Sequence, residues 1–228
     1  MRLSRFLSLS VAISRNQARF FIGKGRVSVD ARVITDPNFK VSDTSQVIFD
    51  GNRVTIIPHQ YIILNKPASY VCEAKSSGSN SVLDLLKNRP ETQYYHFANV
   101  LGPQLTGLIL LSDDARWTNR MKLKMLKKVR VYKIRLKNIV TNSQLERIRK
   151  TLSVDPQNTS GRVIYIDKQT EKTISLKTDH SRVTEIFNLL DSENLRVELF
   201  HLEQIGRLSL GDLKEGDYLE LLEGEIKV

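Results

Sequence analysis

Four histidines (His59, His96, His180 and His201) and one cysteine (Cys72) are the side chains of this 228-residue chain best suited to metal or nucleophilic chemistry. The histidines are scattered without ligand spacing, and one cysteine excludes both an internal disulfide framework and a multi-cysteine zinc site. The acids that could serve as a base or nucleophile are Asp84, Asp113 and Asp114. Asp113 and Asp114 lie beyond the apolar run Leu108–Leu111, about 13 Å long as an extended strand, and so at its far end, and they precede Ala115, where a carboxylate caps a helix start. Asp84 lies in a short helix after a polar loop, with no evident partner. The stronger chemical signal is cationic.

Lys and Arg number 35 against 25 Asp and Glu, a formal net charge of +10. Residues 116–150 hold thirteen basic side chains and one acid, and residues 1–57 hold nine and four. Residues 58–115 are near balance, whereas residues 151–228 hold nine and fifteen. Two basic segments in one chain suggest a surface that tracks phosphates. Hydrophobic residues make up 40% of the chain, enough for a packed core. No run of eighteen apolar residues exists, so no membrane-crossing helix is expected. A membrane-surface role is disfavoured because the strand-like stretch Val129–Leu136 interrupts the basic run.

The elements that must carry these residues read as α+β. Leu3, Phe6 and Leu7 form a helical stripe, and Ser14 reads as the cap of a second helix that Gly23 and Gly25 stop. Arg26–Val29 and Val33-Ile34 alternate as strands, and Gln46–Thr55 reads as a strand, a turn at Asp50-Gly51-Asn52 and a strand. Residues 1–57 thus form a small basic module, Ile56–His59 a linker, and residues 60–228 a larger domain. That domain has buried strands at Tyr61–Leu64 and Leu108–Leu111, a loop over Ser76–Ser81 and a short helix from Ser81 through Leu86. A basic helix follows over Asp114–Leu126, then a strand over Val129–Leu136 and a helix over Ser143–Leu152. An antiparallel pair at Val163–Ile166 and Thr173–Lys177, a helix over His180–Leu190, a strand over Arg196–Phe200 and a last strand within Gly211–Leu222 complete it. The acid-free, Arg- and Ser-bearing stretch Met1–Val29 also fits an organellar transit peptide, but cleavage there would remove part of the module. The expectation is a cytoplasmic protein, with an organellar one as the alternative.

Met1–Leu7, Ser14–Ala18 and Gly25–Asp30 resemble the RNA-binding domain named after small-subunit ribosomal protein S4. Tyr61–Pro67 with Tyr70-Val71-Cys72 is similar to the Leu-Asn-Lys-Pro-x-Gly-x-Val element of pseudouridine synthases, and Thr106–Trp117 to their Thr-Gly-Leu-Leu-Leu-Leu-Thr-Asp-Asp-Gly-x-Trp segment. Arg130-Val131-Tyr132 matches a Lys-x-Tyr strand, and Ile205-Gly206 through Tyr218 fits the family's end. In order and spacing the whole chain resembles the small-subunit rRNA (RsuA-type) pseudouridine synthases. The resemblance implies a mixed, mainly antiparallel sheet, structured RNA and rRNA in particular as partner, a monomer, and no metal or organic cofactor.

It also exposes a departure. The family's catalytic element, Gly-Arg-Leu-Asp-x-x-Thr-x-Gly-Leu, falls on Asn99–Leu108, so the aspartate falls on Gly102, its arginine on Val100 and its threonine on Leu105. The later His-Gln-Val-Lys/Arg-Arg-Met falls on Ser181–Ile186, so the cation that pairs with the aspartate falls on Thr184. Isomerising uridine breaks a glycosidic bond, turns the base and rejoins it through carbon, with a carboxylate as nucleophile or base. Glycine supplies neither, which predicts a binder with isomerisation lost; an active isomerase using another carboxylate, or a fold kept for interaction alone, are the alternatives. By the same resemblance Tyr132 and Lys66 belong to the uridine pocket, with Tyr132 against the flipped base. Arg15, Arg19, Lys24 and Arg26 fall on the RNA-contacting helix and turn of the first domain. Arg116, Arg120, Lys122, Lys124, Lys127, Lys128 and Arg130 read as backbone-phosphate contacts. His201 matches a family histidine in position.

Overall fold

The computed structural model describes residues 1–11, 13–56, 58–73, 80–86, 95–153, 163–178 and 183–228. Its contacts divide the chain into two compact units, Met1–Pro58 and His59–Val228.

In the first unit, α1 (Leu3–Ser10) and α2 (Arg15–Gly23) pack beside four short strands, β1 (Val27–Val29), β2 (Arg32–Val33), β3 (Val47–Phe49) and β4 (Asn52–Val54). The strands lie in the order β2-β1-β3-β4, antiparallel throughout. Leu3 and Leu7 from α1 and Ala18 and Ile22 from α2, all fully buried, meet Val27, Val29, Val41 and Val47 in one core. α2 starts where Ser14 makes a capping box: its hydroxyl accepts from the Gln17 N–H at 3.2 Å, and the Gln17 side chain accepts from the Ser14 N–H at 2.9 Å. The turn between β3 and β4 has Asp50 and Gly51 at φ 51° and 82°, the left-handed pair a two-residue hairpin needs.

The second unit comprises β5 (Tyr61–Lys66), β6 (Tyr70–Val71), β7 (Asn80–Ser81), a 3-10 turn (Val82–Leu85), β8 (His96–Phe97), β9 (Thr106–Ser112), α3 (Ala115–Leu126), β10 (Arg130–Leu136) and α4 (Asn142–Ser153). It continues with β11 (Val163–Thr170), β12 (Thr173–Thr178), α5 (Val183–Ser192), β13 (Val197–Ile205), β14 (Leu208–Ser209), β15 (Tyr218–Leu221) and a final 3-10 turn (Glu223–Glu225). Among the described residues the main sheet runs β11-β12-β10-β13-β9-β5-β15, with β14 on β13 and β8 on β9. Its pairs are antiparallel except β13 with β9. The fold is therefore α+β around a mixed, mainly antiparallel sheet. β5 and β9 are buried at every position, which is why they read as continuous apolar runs rather than alternating ones. β10 alternates instead: Tyr132, Ile134 and Leu136 face the core while Lys133 and Arg135 are exposed.

Several expected boundaries move. The last helix begins at Val183; its expected start at His180, with Ser181 and Arg182, lies outside the described residues, as does most of the Ser76–Ser81 loop. The strand expected over Arg196–Phe200 continues to Ile205, because its far half pairs with both β10 and β9.

Candidate functional site

A cleft of about 690 Å³ opens in the second unit beside the β10–β13 strands. Residues 98–102, Gln104 and Leu105 form one wall, α3 supplies Lys122, Met125 and Leu126, and α5 supplies Val183, Thr184, Glu185 and Phe187. Arg130, Tyr132 and Leu202 complete it from the strands. The fold thus brings Gly102, Thr184, Tyr132, Lys122 and Arg130, which are distant in sequence, to one cavity.

The wall carrying Gly102 is held from two sides. The Asn99 amide donates to the Leu108 carbonyl at 2.8 Å and accepts from the Leu110 N–H at 2.9 Å, docking the segment along β9. Gly102-Pro103-Gln104-Leu105 is a turn closed by the Leu105 N–H on the Gly102 carbonyl at 3.1 Å, with proline at its second position. Beneath it Lys66 is fully buried. Its ammonium donates to the carbonyls of Leu105 at 2.7 Å, Pro67 at 3.0 Å and Pro103 at 3.5 Å. Lys66, expected in the uridine pocket, does not line the cleft. All of its donors go to backbone carbonyls, so it sets the loop rather than meeting a ligand. Burial lowers its pKa from the ordinary lysine value. Lys66→Met removes those donors and leaves buried carbonyls unpaired; the expected loss is about 2–3 kcal/mol in a urea melt of the full chain.

Tyr132 forms part of the cavity lining and is 3% exposed. Its ring meets Phe200 edge-on at 5.0 Å, and Phe200 stacks on Phe187 at 4.9 Å. Burial pushes the Tyr132 hydroxyl up to about 12, so it stays protonated at neutral pH. The cleft is an apolar, aromatic slot with two cations and one acid, Glu185, on its rim, a shape suited to a planar base beside phosphate.

The carboxylates considered from sequence have other duties. Asp84 accepts from the Ser81 N–H at 3.1 Å, closing the cap of the 3-10 turn. Asp114 caps α3, accepting from the Arg116 and Trp117 N–H groups at 2.9 and 3.0 Å. Asp113 does not cap it; it accepts from the Gln60 N–H at 2.9 Å and lies 3.2 Å from the His59 ring. None of the three lines the cleft. Glu185 does, and sequence reasoning passed over it because its signal, an acid where the family carries a second cation, was visible only as a mismatch.

His201 sits opposite Thr106 in the parallel pairing and its Nδ1 lies 2.7 Å from the Thr106 hydroxyl. Burial lowers its pKa from the ordinary 6.5. Between that depressed value and 6.5 the unfolded chain binds more protons than the folded one, so acidification through this window favours unfolding. Melting temperature should drop as the pH falls below about 6.5, and His201→Gln should lose most of that slope.

The basic residues divide into engaged and free. Arg26 pairs with Asp50, with Nε donating at 2.7 Å, and its guanidinium lies 4.4 Å from the Phe21 ring centre and 5.2 Å from that of Phe49. Arg130 donates to the Met125 and Lys128 carbonyls at 3.1 and 3.2 Å, closing the C-terminal end of α3. Arg120 meets Glu223 at 3.4 Å, one of several exposed pairs that the acidic C-terminal third makes with the basic segment. Such pairs contribute little stability. Arg15, Arg19, Lys24, Arg116, Lys122, Lys124, Lys127 and Lys128 form no ion pair with another described residue. Of these all but the half-buried Lys128 are exposed.

Comparison with known proteins agrees with this fold. The S4 domain family matches residues 1–48, and the RNA pseudouridylate synthase family matches residues 60–208. The chain is 29% identical over 229 residues to ribosomal small subunit pseudouridine synthase A of Vibrio parahaemolyticus, covering 99% of this chain and 98% of that one. It is 28% identical to the protein of the same name from Escherichia coli K12, with the same coverage. A crystal structure of a pseudouridylate synthase shares the fold, with a TM-score of 0.60, 22% identity and coverage of 99% of this chain and 97% of that one. The chain therefore belongs to the RNA pseudouridylate synthase family, with an S4 domain ahead of the synthase fold.

Proposed function

We propose that this protein binds structured RNA, ribosomal RNA in particular, and does not isomerise uridine. The observation that carries the reading is Gly102. Gly102, where the sequence resemblance puts the family's aspartate, and Thr184, where it puts the paired cation, line the same cavity. Loss of both together leaves a cleft able to hold a base but without the group that attacks the sugar or removes a proton. The binding groups remain. Tyr132 and the apolar wall offer a seat for a base, and Lys122, Lys124 and Lys127 on α3, with the basic face of α2, offer phosphate contacts.

Labelled small-subunit rRNA tests the reading. Affinity should fall linearly on a log–log salt plot, and Lys122→Gln should reduce the slope by about one. The same RNA, tritiated at uridine C5, should bind and keep its tritium. Salt-independent binding, or none, would overturn the reading. Glu185 favours a second one, an active isomerase whose carboxylate comes from α5. Tritium release abolished by Glu185→Gln would establish it.

A further inference from the structure

We infer that Phe20 is a stacking platform for an unpaired RNA base, which gives the first unit a preference for single-stranded over duplex RNA. This rests on the RNA-binding reading above. An apolar side chain of this size belongs in a core, yet Phe20 is 58% exposed. At 100° per residue α2 buries Ala18 and Ile22 on one side. Arg15, about 20° from Ile22, and Arg19 adjoin that side, Gly23, Asn16, Phe20 and Lys24 follow round the helix with Phe20 directly opposite, and all six are exposed. The exposed ring therefore lies between Lys24 and, farther round the helix, the stripe of Arg15 and Arg19. The Lys24 ammonium lies 5.7 Å from the ring centre, and Phe21 braces the ring edge-on at 5.7 Å. Gly23, one turn away, leaves open space, since a Cβ there would meet nothing within 4 Å.

Charge complementarity selects the occupant. No acid occurs between Met1 and Val29, so an acidic peptide or a nucleic acid fits the stripe. Of these only a nucleic acid offers a flat ring between regularly spaced phosphates. A base lying on Phe20 would place its flanking phosphates toward Arg19 and Lys24. Paired bases keep their faces covered by their neighbours, so duplex RNA could use the cations but not the ring.

The test compares an unstructured single-stranded RNA oligonucleotide with a blunt duplex of equal length, each fluorescently labelled, against the full chain. Phe20→Leu keeps apolar bulk and removes the ring; because the site is exposed, melting temperature should not change. We expect affinity for the single strand to drop about 5- to 100-fold, with duplex affinity unchanged and Phe20→Trp restoring the single-strand value. Arg19→Gln should weaken both. Wild-type binding to both RNAs with no effect of Phe20→Leu, or an equal effect on both, would overturn the stacking platform and leave the RNA-binding reading intact. So would wild-type binding to duplex alone. No wild-type binding to either RNA would also overturn the stacking platform, while the RNA-binding reading stands or falls on the rRNA measurement above.

Discussion

Gly107→Ala should unfold the second unit or cost it more than about 4 kcal/mol, the range reserved for severe steric or cavity defects. Gly107 has φ +111°, and an added Cβ would lie 2.2 Å from the Leu202 carbonyl oxygen and 2.6 Å from its nitrogen. Those are backbone atoms of a central strand, so no side chain can swing aside. The position is the register point where β9 runs parallel to β13, with Gly107 opposite Leu202 and Thr106 opposite His201. The glycine of the Thr-Gly-Leu motif is thus needed for strand approach, and it acts on the site indirectly, since Leu202 lines the cleft. Gly102→Ala is the control. Its Cβ would meet nothing within 4 Å, so its stability should stay within about 0.5 kcal/mol of wild type. Urea melts followed by far-ultraviolet circular dichroism would separate the two. A Gly107→Ala protein as stable as wild type would contradict the strand packing described here.

The open space at Gly102 leads to the second large effect. Gly102→Asp with Thr184→Lys puts a carboxylate and a cation at the two positions, lining one cavity, that the proposal assigns to the family's reacting pair. The wall is already fixed by Lys66 and Asn99, so neither side chain must rebuild it. Both positions are tolerant, since Gly102 and Thr184 are exposed. The double variant should release tritium from uridine-labelled rRNA at least about 10²-fold above the wild-type background, the scale one positioned proton-transfer group provides. Gly102→Asp alone should do less, because Thr184 then supplies no cation to hold the carboxylate in place. A double variant that folds and binds RNA but releases nothing would mean that the cleft lacks more than these two groups.

Local signals were the legible ones. Ser14 with Gln17, Asp50-Gly51, and Asp114 before Ala115 each act within four residues, and each reads directly from the chain. The buried strands β5 and β9 announce themselves as apolar runs. The two-residue strands β6, β7, β8 and β14 are too short to carry a period. What stayed hidden depends on distant partners. The resemblance put Lys66 in the uridine pocket, and the carbonyls of Pro103 and Leu105, almost forty positions on, join that of Pro67 in satisfying it. Arg26 looked free until Asp50, 24 positions on, came to meet it. Glu185 reaches the cleft only because α5 packs beside the strand and loop that complete the cavity. The charge asymmetry was legible as a total, but the pairing of Arg120, Arg135 and Arg147 with Glu223, Glu198 and Glu193 was not.

The most direct measurement is tritium release from small-subunit rRNA labelled at uridine C5, with the Vibrio parahaemolyticus relative run beside this protein on the same RNA preparation. The proposal predicts release at the no-enzyme level for the wild-type chain, at least about 10⁴-fold below the relative, the scale that loss of an essential reacting group carries, together with salt-sensitive binding to that RNA. Release above background that survives purification would contradict the account and move the chemistry to another carboxylate of the cleft, with Glu185 the first to replace.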